Sequence, residues 1–331
     1  MTKASLKALI GAGLLAAFAT GAPAGAADLR LSIGSCPVGC TAYTWSAGIA
    51  DIVSKTVPGV KLTAEETKGY IANIKLMQSG QLEIAMATSL SAYQAYMATG
   101  PYKGSQKGKI LSWMSIAPVA MHIVTLKSSR IASLSDLKGK RVGMGQPGGT
   151  SMLDADALMQ ILGLKPDTDF KPFRIRLGSM MDSLADGNLD AALWNGSFPL
   201  PPLVKLTASR DVHLVPVTDE IFAKLQAKYP PFFRLTIPAR RYKGIDKAVP
   251  TFGLANGMVI SKDVPEKTVY DMTKSIFENL AKLKAVHPAF GRISKETVLN
   301  GFAAPLHPGA LKYYREIGVP GIEDFVKRTS K

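Results

Sequence analysis

The sequence predicts an α/β protein built as two lobes around a ligand cleft, and three observations carry that expectation. Short apolar strands alternate with helices in two separate blocks, the pattern of parallel sheets flanked by helices. A strand, a glycine-rich loop and a helix at residues 141–164 repeat an arrangement found near the start of the chain. Two β-rich runs, 116–126 and 248–261, are long enough to cross between the blocks.

The 331 residues open on a targeting segment. Lys3 and Lys7 supply a basic start, Ala8 to Phe18 a short apolar run, and Ala22 to Ala27 a small-residue cleavage region. The run is too short to span a bilayer, so residues 1–27 are expected to leave as a signal peptide and the remainder to be exported. The formal charge of +15 includes Lys3 and Lys7, and falls to +13 without that segment, which holds no acid. A basic surface attracts anions. The cations are scattered, with no run longer than a pair such as Arg240-Arg241 and no interleaved aromatics, which argues against nucleic acid. Cys36 and Cys40 stand close together in an exported chain and are candidates for a disulfide, with geometry deciding whether it closes. Two sulfurs and four scattered histidines give no metal-ligand spacing, and no cofactor is expected.

In order, Leu29 to Gly34 alternates as a strand and opens through Ser35 to Thr41 into a helix with Trp45, Ile49, Ile52 and Val53 on one stripe. Val60 to Ala64 is the next strand, followed by Thr67-Lys68-Gly69-Tyr70 and a helix from Ile71 to Ser79 that stops at Gly80. Leu82 to Ala87 is a strand leading to Thr88, Ser89 and Ser91. Strand C-termini in such sheets face the ligand, so three loops carrying small or hydroxyl residues gather there. The second block begins with a capping box at Ser133 to Asp136. The strand Arg141 to Met144, the loop Gly145 to Thr150 and the helix ended by Gly163 follow. Adjacent glycines admit a ligand close to the backbone, and the helix start offers amides and a positive dipole end. Phe173 to Leu177 is expected as a strand, Met180 to Ala185 as a helix, and Asp190 to Trp194 as a strand running into Asn195 to Pro199. Val212 to Val217 is a strand and Asp219 to Lys228 a helix. After the second crossing, Val269, Met272, Ile276, Leu280 and Leu283 form one helical stripe, and a last helix runs from Pro308 to Gly318.

With these stretches in view, the chain resembles the TAXI type of solute-binding protein of tripartite ATP-independent periplasmic (TRAP) transporters. Five ordered blocks carry the resemblance: Ile33-Gly34-Ser35 with Gly39, Thr41 and Tyr43; Thr67-Lys68-Gly69 with Asn73 and Gly80; Leu134 to Val142 followed by Gly145 to Thr150; Gly187, Asp190, Ala191 and Trp194 to Pro199; and Leu306 to Gly318. The resemblance implies a type II periplasmic-binding fold, a small carboxylate ligand, residence in the periplasm, and delivery to a permease driven by an ion gradient, often in fused form. The first loop departs from the family in having Cys36, Pro37, Cys40 and Ala42, and Thr88 and Leu90 stand where Gln and Asp are frequent.

The expected boundaries are residues 28–117 for the first part of lobe 1, 118–255 for lobe 2, and 256–331 for the return to lobe 1 and the C-terminal helices. The candidate ligand-binding residues are Thr41, Tyr43, Thr67, Gly69, Tyr70, Thr88, Gly149, Thr150, Trp194 and Asn195. His307, His122 and Asp190 are expected to be structural, and no Ser/His/Asp order or paired carboxylates support catalysis. The expected function is capture of a small organic anion, carboxylate or amino acid, by a monomer that passes it to a TRAP permease. Two alternatives remain: a sensory component presenting the ligand to a membrane receptor, and a thiol-dependent enzyme built on Cys36 or Cys40.

Overall fold

The computed structural model describes residues 28–38 and 40–330, and the expected signal peptide lies outside them. The first block is β1 (Leu29–Gly34), α1 (Thr41–Thr56), β2 (Val60–Glu65), α2 (Tyr70–Gln78), β3 (Ile84–Thr88) and α3 (Ser89–Tyr96). A long strand, β4 (Ile110–Leu126), leads to β5 (Arg141–Gly143), α4 (Thr150–Leu162), β6 (Lys171–Phe173), α5 (Leu177–Ala185), β7 (Ala191–Gly196), α6 (Pro201–Ser209), β8 (Val212–Leu214), α7 (Asp219–Lys228) and β9 (Phe233–Ile237). A second long strand, β10 (Val249–Ser261), returns to α8 (Glu266–Glu278), α9 (Leu280–Val286), α10 (Pro308–Glu316) and α11 (Ile322–Thr329).

All ten strands belong to one sheet, in the order β2-β1-β3-β10-β4-β7-β5-β6, with β8 on β4 and β9 on β10. Typical strands have about five or six residues, whereas β4 has 17 and β10 has 13. Their length lets both serve two lobes. They pair antiparallel from Gly253 opposite Ala120 to Ser261 opposite Ile110. The end of β10 from Asn256 to Ile260 pairs with β3, while its beginning, Val249 to Gly253, pairs with β9. The far half of β4 pairs with β7 from Ala120 to Thr125. On either side of this antiparallel centre the sheet is parallel, β1 with β2 and β3, and β5 with β6 and β7.

The apolar interior divides at the same place. One core gathers residues 31–117 and 258–325, with Ile33, Ile49, Ile74, Met86, Trp113 and Tyr314 at its centre. Trp113 donates its indole N–H to Thr273 Oγ1 at 2.9 Å, and Tyr314 donates to the Trp113 carbonyl at 2.9 Å, so the polar atoms of these two aromatics are satisfied where they are buried. Two further cores lie on the faces of the other half of the sheet. One holds Val142, Leu158, Phe232 and Phe252, and the other Met180, Leu184, Leu203 and Ile237.

Local expectations hold where one pattern dominates and shift where two compete. Gly163 ends α4 in the left-handed conformation, and Asp136 closes the capping box by accepting from Ser133 N at 2.8 Å, though it opens a short 3-10 turn. The expected strand Phe173 to Leu177 is corrected: β6 ends at Phe173, and Leu177 already opens α5. That helix buries Met180, Met181 and Leu184 on one stripe, and burying the stripe decides the conformation over the local alternation. The single stripe from Val269 to Leu283 is two helices, broken at Asn279 with φ −115° and ψ 19°. Elements α3, α6, β9 and α11 have no counterpart among the sequence expectations. Among the described residues, no helix is long and apolar enough to cross a membrane.

Between the lobes, the β4–β10 register shifts at Asn256/Gly257 and again at Met258/Val259. A Cβ on Gly257 would run into the Met114 carbonyl oxygen and lie 3.0 Å from Phe302 Cζ. Backbone cannot yield as a side-chain tip does. Gly257→Ala is therefore expected to destabilise the protein by roughly 1–3 kcal/mol, the usual range for overpacking, read as a lower urea midpoint at unchanged slope.

Candidate functional site

A cavity of about 950 Å³ opens between the lobes, at the upper end of the size of sites for drug-sized molecules. Its walls come from the loops after β1, β2, β5 and β7, from the middle of β4 and β10, and from residues 287–292. The four loops lie at the C-terminal ends of parallel strands, where the chain turns from strand to helix.

Two helices start at this cavity without a side-chain cap. Gly69 precedes α2 and Gly149 precedes α4, and neither position has a side-chain hydrogen bond to the first turn. Gly69, Tyr70, Ile71 and Ala72 line the cavity from one lobe, and Gly149, Thr150 and Ser151 from the other. Gly69 adopts φ +108°, a conformation closed to residues with a Cβ, and this turns the chain into α2. The amides of an uncapped first turn and the positive dipole end are left for a ligand. A third helix, α1, also begins here, but Cys40 caps it by accepting from Tyr43 N at 3.4 Å.

The charge of the lining has one sign. Lys68, Lys75 and Arg292 contribute cations, and no Asp or Glu stands among the described residues that line the cavity. Aromatic groups come from both lobes, with Trp45, Tyr70 and His287 on one and Trp194 and Phe198 on the other. Burial keeps the Tyr70 phenol well above its ordinary value, so it stays neutral and able to donate. Trp45 meets His287 edge to face, with ring centroids 5.6 Å apart.

Of the residues expected from the sequence, Thr41, Gly69, Tyr70, Gly149, Thr150, Trp194 and Asn195 line the cavity, and Tyr43, Thr67 and Thr88 do not. The hydroxyl of Thr67 lies 2.9 Å from the Ser35 carbonyl and against Asn73 Oδ1, and it accepts from Gly69 N at 3.0 Å. Buried Asn73 donates to the carbonyls of Gly34, Ser35 and Met86 at 3.0, 2.7 and 3.2 Å. Thr67 and Asn73 together hold the loops after β1 and β2 in place. Thr88 is buried and caps α3 by accepting from Ser91 N at 3.3 Å. Tyr43, on α1, is half-buried away from the cavity.

Cys36 and Cys40 both line the cavity and are joined by a disulfide, with Cα atoms 6.4 Å apart. With both sulfurs engaged, the reading of a thiol-dependent enzyme loses its nucleophile. Asp190 is taken by Arg141, whose guanidinium approaches its carboxylate at 2.8 and 3.1 Å; that hydrogen bonding holds the carboxyl below its usual range.

Residues 33–318 match the sequence pattern of the NMT1-like family. The chain belongs to the NMT1-like family. A solved structure of XAC2383 from Xanthomonas citri, bound to chloride ion, is similar to this member at 11% identity and a TM-score of 0.53, over 91% of this chain and 98% of that one. An ancestral arginine-binding protein bound to arginine gives 17% identity and 0.48 over 79% and 97% of the two chains. The alkanesulfonate-binding protein SsuA from Xanthomonas axonopodis pv. citri bound to MOPS gives 15% and 0.42 over 92% and 85%. At these identities the likeness is one of fold. The fold of this NMT1-like protein is the two-lobed type II periplasmic-binding arrangement.

Lys75, His287 and Arg292 also line the cavity, outside the residues that the sequence marks. His287 caps a 3-10 turn (Pro288–Arg292) by accepting from Ala289 N at 3.1 Å, and Arg292 ends that turn. The only available signal was the His-Pro step, where proline at the first turn favours a helix start.

Two buried titratable groups stand behind the lobe 2 wall. Asn195 donates to Asp154, and Ser151 donates to Asn195 Oδ1 at 2.7 Å, which ties β7 to α4 beneath the cavity. Asp154 is fully buried, its other oxygen has no partner, and desolvation raises its carboxyl well above the ordinary value. His122 is buried as well. Its Nδ1 donates to the Ala120 carbonyl at 3.0 Å and its Nε2 accepts from Tyr242, which accepts in turn from Leu200 N at 2.8 Å. That chain fixes the backbone just after the Phe198–Pro199 wall, and desolvation lowers His122 to about 4 from 6.5.

These shifts act in opposite directions on stability. A histidine with a depressed pKa binds fewer protons folded than unfolded, so its contribution is complete above pH 6.5 and is lost as pH falls toward 4. The loss is of order 3 kcal/mol at ~1.4 kcal/mol per unit, and His122→Gln should flatten urea stability across that window. For Asp154 desolvation raises the folded carboxyl well above the unfolded value of 3.8, so the folded state binds more protons and stability is lost as pH rises above 3.8. The melting temperature of Asp154→Asn should therefore gain on the parent as pH rises from 4 to 7. Parallel curves would mean that Asp154 titrates normally.

Proposed function

We propose that this NMT1-like protein is a periplasmic solute-binding protein of the TAXI type. It captures a small organic anion, a carboxylate or an amino acid, in the cleft between its lobes and delivers it to a TRAP permease, fused or split, without a chemical step. One observation carries the reading. Two uncapped helix starts face one cavity from opposite lobes, and its described lining contains three cations and no carboxylate. Amides at helix starts are favourable partners for negative charge, and a ligand bridging both starts favours the closed arrangement of the lobes by its differential affinity. The five family blocks support the TAXI and TRAP reading, and the expected signal segment supports residence in the periplasm.

Ligand-freed protein mixed with a panel of small carboxylates and amino acids should melt at higher temperature with at least one of them. A ligand at 100 times its Kd stabilises by about 2.7 kcal/mol. Thr150→Asp sets a carboxylate in the first turn of α4, where negative charge favours the helix itself. The variant should remain folded and lose at least tenfold in affinity for the stabilising anion. Uptake of that anion into vesicles carrying the permease should require the protein and an ion gradient, and no ATP.

A further inference from the structure

The residues that line the cavity bear on which anion it suits. An α-amino acid brings an ammonium beside its carboxylate, and a buried ammonium needs an acidic or otherwise anionic partner to offset its desolvation. None of the described lining residues is Asp or Glu. The buried acid behind the wall, Asp154, does not line the cavity and already accepts from Asn195. The aromatic faces could hold a cation in a neutral site. Here Lys68, Lys75, Arg292 and two helix starts set the local field against one.

The uncharged lining mixes polar side chains such as Gln146, Asn195 and Asn256 with aromatic rings. Trp194 and Phe198 stand half-buried on the lobe 2 side, flanked by Pro147 and Pro199. The Phe198–Pro199 stretch is fixed from behind, because Leu200 N is held by Tyr242 and Tyr242 by His122. A ring packed on pre-positioned aromatics gains attraction beyond its buried area.

We infer that the preferred ligand is an aromatic anion with no ammonium group, a ring-bearing carboxylate or sulfonate. The negative group lies between the starts of α2 and α4, and the ring packs against Trp194 and Phe198. This rests on the solute-capture reading and narrows it.

The test is calorimetric titration of the ligand-freed full protein with 3-phenylpropionate, benzenesulfonate, phenylalanine, hexanoate and glutamate. Phenylalanine differs from 3-phenylpropionate by the ammonium alone, and hexanoate lacks the ring. The expected result is that 3-phenylpropionate binds at least tenfold more tightly than either, and that benzenesulfonate also binds. Trp194→Ala and Phe198→Ala, each first shown to melt cooperatively without ligand, should each weaken 3-phenylpropionate by about tenfold and hexanoate by less than threefold. Tightest binding of phenylalanine, glutamate or hexanoate would overturn the inference and leave solute capture standing. Failure of all five, together with the wider carboxylate and amino-acid panel, would overturn both.

Discussion

The pairing of β4 with β10 is the constraint on which the rest of the molecule depends. Each strand is too long for one lobe, and each hydrogen-bonds to lobe-specific partners at its two ends while the two remain paired in the middle. The lobes are therefore halves of one sheet rather than separate domains on a linker. Where the antiparallel centre meets the parallel flanks, the apolar cores separate and the cavity opens, with Ala117, Pro118, Val119 and Asn256 as its floor. The register shifts beside Asn256 lie at this floor. Bulges re-aim strands and raise local twist, so the two halves of the sheet meet at an angle and their loop ends face each other across a gap.

That geometry explains why much of the architecture was legible in the sequence. Strand, glycine loop and helix recur at β1–α1 and β5–α4 because a parallel sheet requires a crossover after each strand, and the long runs 116–126 and 248–261 stand out because few strands exceed ten residues. What was not legible follows equally from the packing. Arg174-Ile175-Arg176 alternates like a strand, yet lies between an edge strand of three residues and a helix whose buried methionines set the local conformation. His287 and Arg292 reach the cavity from a segment with no strand or glycine loop to mark it, because the return to lobe 1 brings the C-terminal part of the chain against α1.

The site residues show a related competition. Hydroxyl and amide side chains near strand ends are equally suited to hold a ligand and to satisfy the backbone that makes the sharp turn there. Thr67, Thr88 and Asn73 are committed to the backbone, and their hydrogen bonds leave them no free part in the cavity. Thr150 and Gly69, by contrast, stand beside helix starts that no side chain caps. Sequence gives the residue type and the loop. Which partner a hydroxyl chooses depends on whether a carbonyl distant in sequence, such as that of Ser35 for Thr67, is within reach.

Asp154 shows how the same logic extends behind the wall. A carboxylate one turn inside α4 would set a negative charge against the start of that helix and weaken the field it presents to the cavity. Burial with a single donor, Asn195, raises the carboxyl well above its ordinary value by desolvation, so the charged form is disfavoured while β7 and α4 gain a polar link. An aliphatic residue there would leave the Asn195 amide without its acceptor, and buried donors without partners are costly. An acid whose charged form burial disfavours still accepts from Asn195, and it sets less negative charge behind a cavity whose described lining has none.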